Sequence, residues 1–118
     1  MDGFLKRERI RRRAEFKRVY EQGARIHNRY FTLFALANQL PWARLGIAAT
    51  KKLGGAVERN RTKRLIREVF RRNKAASGFD VVVVPKRELL DATLSALEAE
   101  FQQSLYRGVR RARSASGV

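Results

Sequence analysis

The spacing of apolar positions along the chain predicts three helices and four strands. Apolar residues three or four positions apart are typical of an amphipathic helix, and glycines mark where the first two helices stop. Runs rich in aromatic and β-branched residues, bounded by turn residues, indicate strands. In chain order we expect a helix at 14–22, a short strand at Ile26, strands at 30–37 and 44–50, a helix at 57–73, a strand at 80–84 and a helix at 89–105.

The order of these elements, α-β-β-β-α-β-α, predicts a single α+β domain built as a two-layer α/β sandwich. Helices that cover one face of a central sheet would bury most of the apolar stripes and leave the other face partly open to a ligand. The strand at 80–84 reads DVVVV and is apolar on both faces, which indicates a central or covered strand. We expect the domain to span residues 14–110, after a basic N-terminal arm at 1–13 and before a disordered tail at 111–118.

The charge of the chain is strongly positive and unevenly distributed. Its 118 residues include 27 Lys and Arg against 11 Asp and Glu, a formal net charge of +16. Most of the basic residues fall in two segments, 6–29 and 51–74, whereas the stretch 75–106 leans acidic. This distribution predicts a basic face whose partner is a polyanion, because neutralising phosphates releases counterions and drives binding.

The composition also excludes several classes of function. The absence of cysteine excludes disulfides, thiol catalysis and cysteine-ligated zinc, and it fits a reducing compartment. A single histidine leaves no histidine cluster for a metal site or a catalytic triad. No apolar run is long enough to span a membrane, and the N-terminus lacks the apolar stretch of a secretory signal. We therefore expect a cytoplasmic protein with no membrane partner.

The strongest local signal is the segment 51–71, KKLGGAVERNRTKRLIREVFR. A glycine pair before a helix lets the backbone approach a phosphate. The helix N-terminus offers free N–H donors and the positive end of the helix dipole to an anion. Glu58, an acidic residue in the first turn, also interacts favourably with that dipole. Basic side chains four residues apart extend this anion site into a ridge along the helix: Arg59, Lys63, Arg67 and Arg71. Charge alone leaves open a helix in a DNA groove, an RNA-binding helix or a helix on an acidic membrane.

The residues of this segment resemble the signature of the protein subunit of bacterial ribonuclease P, a family marked by an Arg-Asn-Arg helix. The resemblance covers roughly residues 5–70, and the later strand and helix agree in order. Upstream it includes the basic arm, Glu15-Phe16…Val19-Tyr20…Gly23 and Asn28-Arg29…Phe31. Within the segment it rests on Lys51-Lys52, Gly54, Ala56-Val57, Arg59-Asn60-Arg61, Lys63-Arg64 and Arg67-Glu68.

This resemblance implies a protein that binds a large catalytic RNA and helps it to remove the 5′ leader from precursor tRNA. In the family the RNA performs the hydrolysis with bound Mg²⁺, so we expect no catalytic residue and no metal or cofactor on the protein itself. The family fold is an α/β sandwich like the second domain of a small-subunit ribosomal protein. Its crossover around the basic helix is left-handed, an exception to the usual rule. Self-association of the protein is left open.

The resemblance also implies two RNA-contacting surfaces. The family's basic helix and the loop before it lie against the catalytic RNA, and they match Lys51, Lys52, Arg59, Asn60, Arg61, Lys63, Arg64 and Arg67 here. The family's leader-binding cleft lies between the first helix and the sheet, where aromatic faces stack on unpaired bases of any sequence. Its residues match Phe16, Tyr20 and Phe34, with Arg12 and Lys17 as flanking charges. Simple packing of these rings onto the sheet is the alternative.

Three other functions are compatible with parts of the sequence. A ribosomal or other structural RNA-binding protein would share the basic helix but needs no row of exposed aromatic rings. A helix-turn-helix DNA binder needs two short helices joined by a tight turn, whereas residues 26–50 are rich in strands. A protein-only nuclease needs carboxylates that converge on a metal, whereas the acids here are scattered.

Overall fold

The computed structural model describes residues 6–73 and 77–115 of the chain. Its helices are α1 (Arg13–Gln22), α2 (Ala56–Arg72) and α3 (Leu94–Ala115). Its strands are β1 (Ala24–His27), β2 (Phe31–Ala37), β3 (Arg44–Ile47) and β4 (Phe79–Pro85). Short 3-10 turns lie at Lys6–Glu8, Lys51–Leu53 and Arg87–Asp91. The predicted α+β class and the predicted order of helices and strands are confirmed.

The strands form one sheet in the order β1-β2-β4-β3. Strand β2 is antiparallel to both of its neighbours, and β3 is parallel to β4. The apolar strand β4 therefore lies inside the sheet, as its sequence predicts. Helix α2 connects the two parallel strands, and the left-handedness of that crossover stays a prediction.

The main core lies between one face of the sheet and helices α2 and α3. Alternate residues of the two central strands face these helices, among them Leu33 and Val81, both 0% exposed. Helix α2 contributes Ile66 and Phe70, and α3 contributes a stripe that includes Phe101. Each side chain of this size contributes roughly 1.5–3 kcal/mol when it is fully buried. This core fixes α2 on the sheet, so that the polar side of the helix faces outward.

Helix α1 packs on the opposite face of the sheet, so the prediction that all helices cover one face is wrong for α1. A second cluster there joins Val19 of α1 to Ile10, Phe34 and Val82. The helix is only 10 residues long and covers only part of this face. Beside it, β1 leaves Arg25 and His27 exposed. The predicted opening on this face is therefore a cleft along α1.

The described part of the predicted basic arm is attached to the sheet. The Ile10 N–H donates to the Leu45 carbonyl at 2.9 Å, and Arg9 forms a parallel bridge with Leu45. The Ile10 side chain is 4% exposed. Arg13 is already the first residue of α1, and residues 1–5 lie outside the described part of the chain.

Helix α3 differs from its predicted bounds at both ends. It begins at Leu94 rather than Leu89, because the Thr93 hydroxyl accepts the Ala96 N–H at 3.1 Å and caps the helix. It continues to Ala115, so residues 111–115 are helical rather than part of a disordered tail. Ala112 is packed into the core, 8% exposed, and continues the apolar stripe of the helix. Residues 116–118 lie outside the described range.

Candidate RNA-binding surfaces

The start of α2 is held by its own side chains. Gly54 has φ +149°, a conformation that favours glycine, and Glu58 Oε1 accepts the Gly55 N–H at 3.0 Å. Arg59 Nη1 donates to the Gly54 carbonyl at 3.0 Å. Glu58 therefore takes one of the N–H groups that the sequence predicted for a phosphate. Val57 lies in this first turn and is 77% exposed.

The remaining polar residues of α2 form what we call the basic helix surface. Thr62 and Ile66 point into the protein, 0% and 1% exposed, so the side of the helix opposite them faces outward. Asn60, Arg61 and Arg64 are exposed, and Arg59, Lys63 and Arg67 are half-buried along the flank. Just before the helix, Lys51 and Lys52 are exposed on a 3-10 turn. The eight residues predicted to bind catalytic RNA all reach solvent.

The predicted ridge does not continue as a free cationic row to Arg71. Arg71 Nη2 lies 2.6 Å from Glu68 Oε2, and Arg72 Nε lies 3.1 Å from the same oxygen. The hydrogen bond from Arg71 lowers the pKa of the Glu68 carboxyl. An ionised Glu68 neutralises part of the positive charge at this end of α2.

The flank of α2 meets the N-terminal arm in what we call the basic pocket. Arg9, Arg11, Lys63 and Arg67 line a cavity of about 150 Å³ beside the apolar residues of β3. Burial lowers the pKa of Arg67, and the charge of Arg9 lowers it further. Like charges gathered at one site repel each other, and a bound phosphate relieves that repulsion. The structure thus brings two arm residues, Arg9 and Arg11, into the site.

Sequence reasoning missed Arg9 and Arg11 as individual site residues. The available signal was Ile10, a lone apolar residue in a basic stretch, whose burial attaches the arm to β3. Which strand would receive it depends on the tertiary fold, and periodicity alone does not specify this.

Three rings form what we call the aromatic cleft between α1 and β2. The Tyr20 and Phe34 ring centroids are 5.0 Å apart in an edge-to-face arrangement, and Phe16 and Tyr20 are 6.3 Å apart. The Arg25 guanidinium lies 5.9 Å from the centroid of Phe34. The sequence prediction placed these three rings together, and the structure does so.

The three rings differ in what they offer to a ligand. Tyr20 is 40% exposed, Phe16 is half-buried and Phe34 is 9% exposed. Most of Phe34 therefore belongs to the core and forms the floor of the cleft, whereas Tyr20 presents an open ring. Phe16 lies against Gly46, where an added Cβ would come within 2.8 Å of the ring. Arg12 and Lys17 are exposed at the start and on the surface of α1.

A charged cluster that we call the α1 clamp fixes α1 on the sheet. Asp80 has a side chain only 1% exposed, and Arg44 donates to both of its oxygens, at 2.8 and 2.7 Å. Asn38 donates to Asp80 Oδ1 at 2.9 Å. Arg44 also reaches Glu15 Oε2 on α1 at 3.0 Å. The hydrogen bond to Asp80 raises the pKa of Arg44, so this guanidinium keeps its charge.

The α1 clamp was not predicted from the sequence. Arg44 and Asp80 were treated only as ends of strands, although a charged residue in an otherwise apolar strand requires a buried partner. Their pairing depends on β3 lying beside β4, where Arg44 and Asp80 stand opposite each other.

Comparisons with known proteins place the relatives of this chain in one family. A family model described as ribonuclease P matches residues 4–108. The ribonuclease P protein component of Thermotoga maritima is 42% identical over 90 residues, which cover 75% of this chain and 77% of that protein. The same protein component of Syntrophus aciditrophicus is 46% identical over 83 residues, or 69% of this chain and 70% of that protein.

Solved structures give the same result. The ribonuclease P protein of Thermotoga maritima superposes with a TM-score of 0.77 at 35% identity, covering 85% of this chain and 96% of that one. The Staphylococcus aureus protein superposes with a TM-score of 0.71 at 36% identity, covering 89% of this chain and 94% of that one. The family match spans most of the chain, and both sequence and fold agree. The chain therefore belongs to the ribonuclease P protein family, which acts in tRNA processing.

Proposed function

We propose that this chain is the accessory protein of a ribonuclease P and that it binds two RNA segments on two different surfaces. The basic helix surface and the basic pocket bind the catalytic RNA, and the aromatic cleft binds the 5′ leader of precursor tRNA. The observation that carries the first assignment is the basic pocket. Its four cations come from two separate segments of the chain and line one cavity, an arrangement that a polyanion stabilises.

Contacts on α2 serve to position the RNA rather than to read its sequence. Arginine and lysine bind phosphate oxygens, which every nucleotide carries. Arg61 and Arg64 are exposed and one helical turn apart, so they can follow consecutive phosphates. Arg59 has a second role, since it also holds the Gly54 carbonyl.

The aromatic cleft suits a leader of variable sequence. An exposed ring such as Tyr20 stacks on any unpaired base, because every base has a π-face. Lys17 and Arg12 add charge for the leader phosphates. This arrangement fits a set of substrates that share a tRNA body but not a leader.

We propose that the RNA partner holds the Mg²⁺ and performs the hydrolysis in the cytoplasm. The two carboxylates of the α1 clamp do not offer a metal site, since Arg44 binds both Glu15 and Asp80. The protein's contribution is then to hold the substrate in place and to screen phosphate repulsion. Precursor tRNA incubated with the protein alone is expected to stay uncut, and cleavage by RNA-free protein would contradict this proposal.

The leader assignment is tested by comparing precursor and mature tRNA. With the assembled ribonucleoprotein, Tyr20→Ala is expected to weaken precursor binding by about 1–3 kcal/mol and to leave mature tRNA binding unchanged. Tyr20→Phe keeps the stacking face and should bind like the natural protein. Equal losses for both RNAs would show that the ring has only a packing role.

The catalytic-RNA assignment is tested by the salt dependence of assembly. Arg61→Gln/Arg64→Gln is expected to weaken binding of the catalytic RNA and to reduce the slope of log K against log salt by roughly 0.7–0.9 per lost contact. The matched control, Arg29→Gln/Arg87→Gln, removes the same charge from two exposed positions that are not part of α2. Identical slopes for the two double variants would contradict the assignment.

A further inference from the structure

The last turns of α3 carry a basic surface that the two proposed RNA sites do not use. Residues 106–115 read YRGVRRARSA and contain four arginines and no acid. The arginines are exposed, and their spacing of one to four residues places them on adjoining rows of the helix. Arg107, Arg110, Arg111 and Ser114 line a shallow depression. Helix α3 packs on the sheet with its apolar stripe, so these residues face outward.

An exposed aromatic ring stands at the edge of this basic surface. Tyr106 is 63% exposed, and the Arg110 guanidinium lies 5.6 Å from its ring centroid. The ring borders a mostly apolar cavity of about 180 Å³ between α3 and the end of α2, lined by Asn73, Gln102, Leu105, Tyr106, Val109, Arg110 and Arg113. A large ring left open beside arginines is the combination that stacks a base and binds its phosphates.

The described residues of this surface include no carboxylate that would neutralise its arginines. Among the described residues, no carboxylate lines either the shallow depression or the apolar cavity. Glu98, two turns earlier on α3, is engaged by Arg72 at 3.5 Å and by Asn73 at 3.1 Å. Cations near a helix C-terminus do favour the dipole. That effect does not account for an exposed tyrosine beside them.

The position of the surface connects it to the aromatic cleft. Arg111 Nη1 donates to the Arg25 carbonyl at 3.2 Å, and the Arg25 side chain lies over Phe34 on the other face of the sheet. Arg111 therefore lies around the β1 edge from the cleft. An RNA strand that passes this edge would meet the cleft on one side and α3 on the other.

We propose that Tyr106, Arg107, Arg110 and Arg111 form a third RNA-binding surface, on which an unpaired base stacks on Tyr106 while the arginines bind the adjoining phosphates. The inference rests on the proposed function, because the RNA is either the catalytic RNA or precursor tRNA. Both sources present the same chemistry, a flexible RNA strand. The competing hypothesis is that an acidic protein segment binds this surface. In that case, substitutions in the surface would leave RNA binding unaffected.

Directed cleavage of the RNA tests the placement. The chain has no cysteine, so Ser114→Cys provides one attachment point for an iron–EDTA group beside the arginines. Ser95→Cys, exposed on the same helix and about 28 Å away along its axis, is the matched control. With the assembled ribonucleoprotein and precursor tRNA, hydroxyl radicals from position 114 are expected to cut one of the two RNAs at sites that position 95 does not cut. The RNA that is cut identifies the source.

Substitution of the ring tests the stacking contact in the full-length protein. Tyr106→Ala is expected to weaken binding of the identified RNA about fivefold or more, and Tyr106→Phe to leave it unchanged. Because the ring is mostly exposed, both variants should unfold at the same denaturant concentration as the natural protein. If the natural protein binds neither RNA, the proposed function fails. If it binds them but position 114 gives no distinct cuts, or Tyr106→Ala binds normally, only this inference is overturned.

Discussion

Glu15 shows how one residue couples the basic arm, α1 and the sheet. Burial by itself raises the pKa of the Glu15 carboxyl, but the hydrogen bond and charge of Arg44, helped by the backbone N–H groups of Arg12 and Arg11, lower it overall. A group whose pKa is lower in the folded state adds stability when it is ionised. That contribution is present above the ordinary pKa of 4.5 and is lost as the pH falls through the lowered folded value.

Acidification is therefore expected to loosen α1 through Glu15. The free energy of unfolding, measured by urea denaturation, should decrease as the pH falls below about 4.5. Glu15→Gln cannot ionise, so it should start less stable at neutral pH and lose less stability on acidification. If the two proteins have parallel pH profiles, Glu15 does not contribute in this way.

At the level of elements, the α1 clamp decides whether the aromatic cleft exists. Asp80 is inside the sheet with its charge matched by Arg44, and Glu15 extends the pair to α1. Removing one partner of a buried pair leaves an uncompensated charge, which costs more than the pair contributes. The cleft depends on this cluster because α1 carries two of its three rings.

Replacing Arg44 alone is expected to lower the free energy of unfolding strongly, whereas replacing Arg44 and Asp80 together is not. Arg44→Leu should reduce the free energy of unfolding by about 3–5 kcal/mol, and Arg44→Leu/Asp80→Val should recover most of that loss. Urea denaturation gives both values. If the double variant is as unstable as Arg44→Leu, the unpaired charge of Asp80 is not the main cause of the destabilisation. Precursor binding by the double variant should still be weak, because Glu15 has lost its partner.

The elements differ in how well the sequence predicts them. Helix α2 was predicted almost to its ends because its apolar and basic positions repeat with helical spacing. Helix α3 was misjudged at both ends, since Thr93 caps its start and the composition of the last residues suggests disorder although Ala112 continues the apolar stripe. The aromatic cleft and basic helix surface followed from local patterns together with the family resemblance. The basic pocket and the α1 clamp require knowing which strands are neighbours, which no local pattern specifies.

At the level of the whole molecule, the net charge of +16 means that the isolated protein carries positive charge that its own acidic residues do not balance. Same-sign charge destabilises a compact state through self-repulsion. The basic pocket concentrates that repulsion at Arg9, Arg11, Lys63 and Arg67. A ligand that binds the folded state and not the unfolded state raises its stability by mass action. An anion that bridges these side chains is therefore expected to stabilise the folded state of the protein.

Pyrophosphate is accordingly expected to raise the Tm of the free protein more than sodium chloride does at the same ionic strength, since it binds as well as screens. Differential scanning calorimetry over a pyrophosphate titration measures the rise. The variant Lys63→Gln/Arg67→Gln removes half of the basic pocket, so its extra rise should be smaller, while its response to sodium chloride should persist. The control Arg29→Gln/Arg87→Gln carries the same net charge and should keep the full pyrophosphate response. If both double variants respond alike, the stabilisation comes from net charge alone and the pocket is not an anion site.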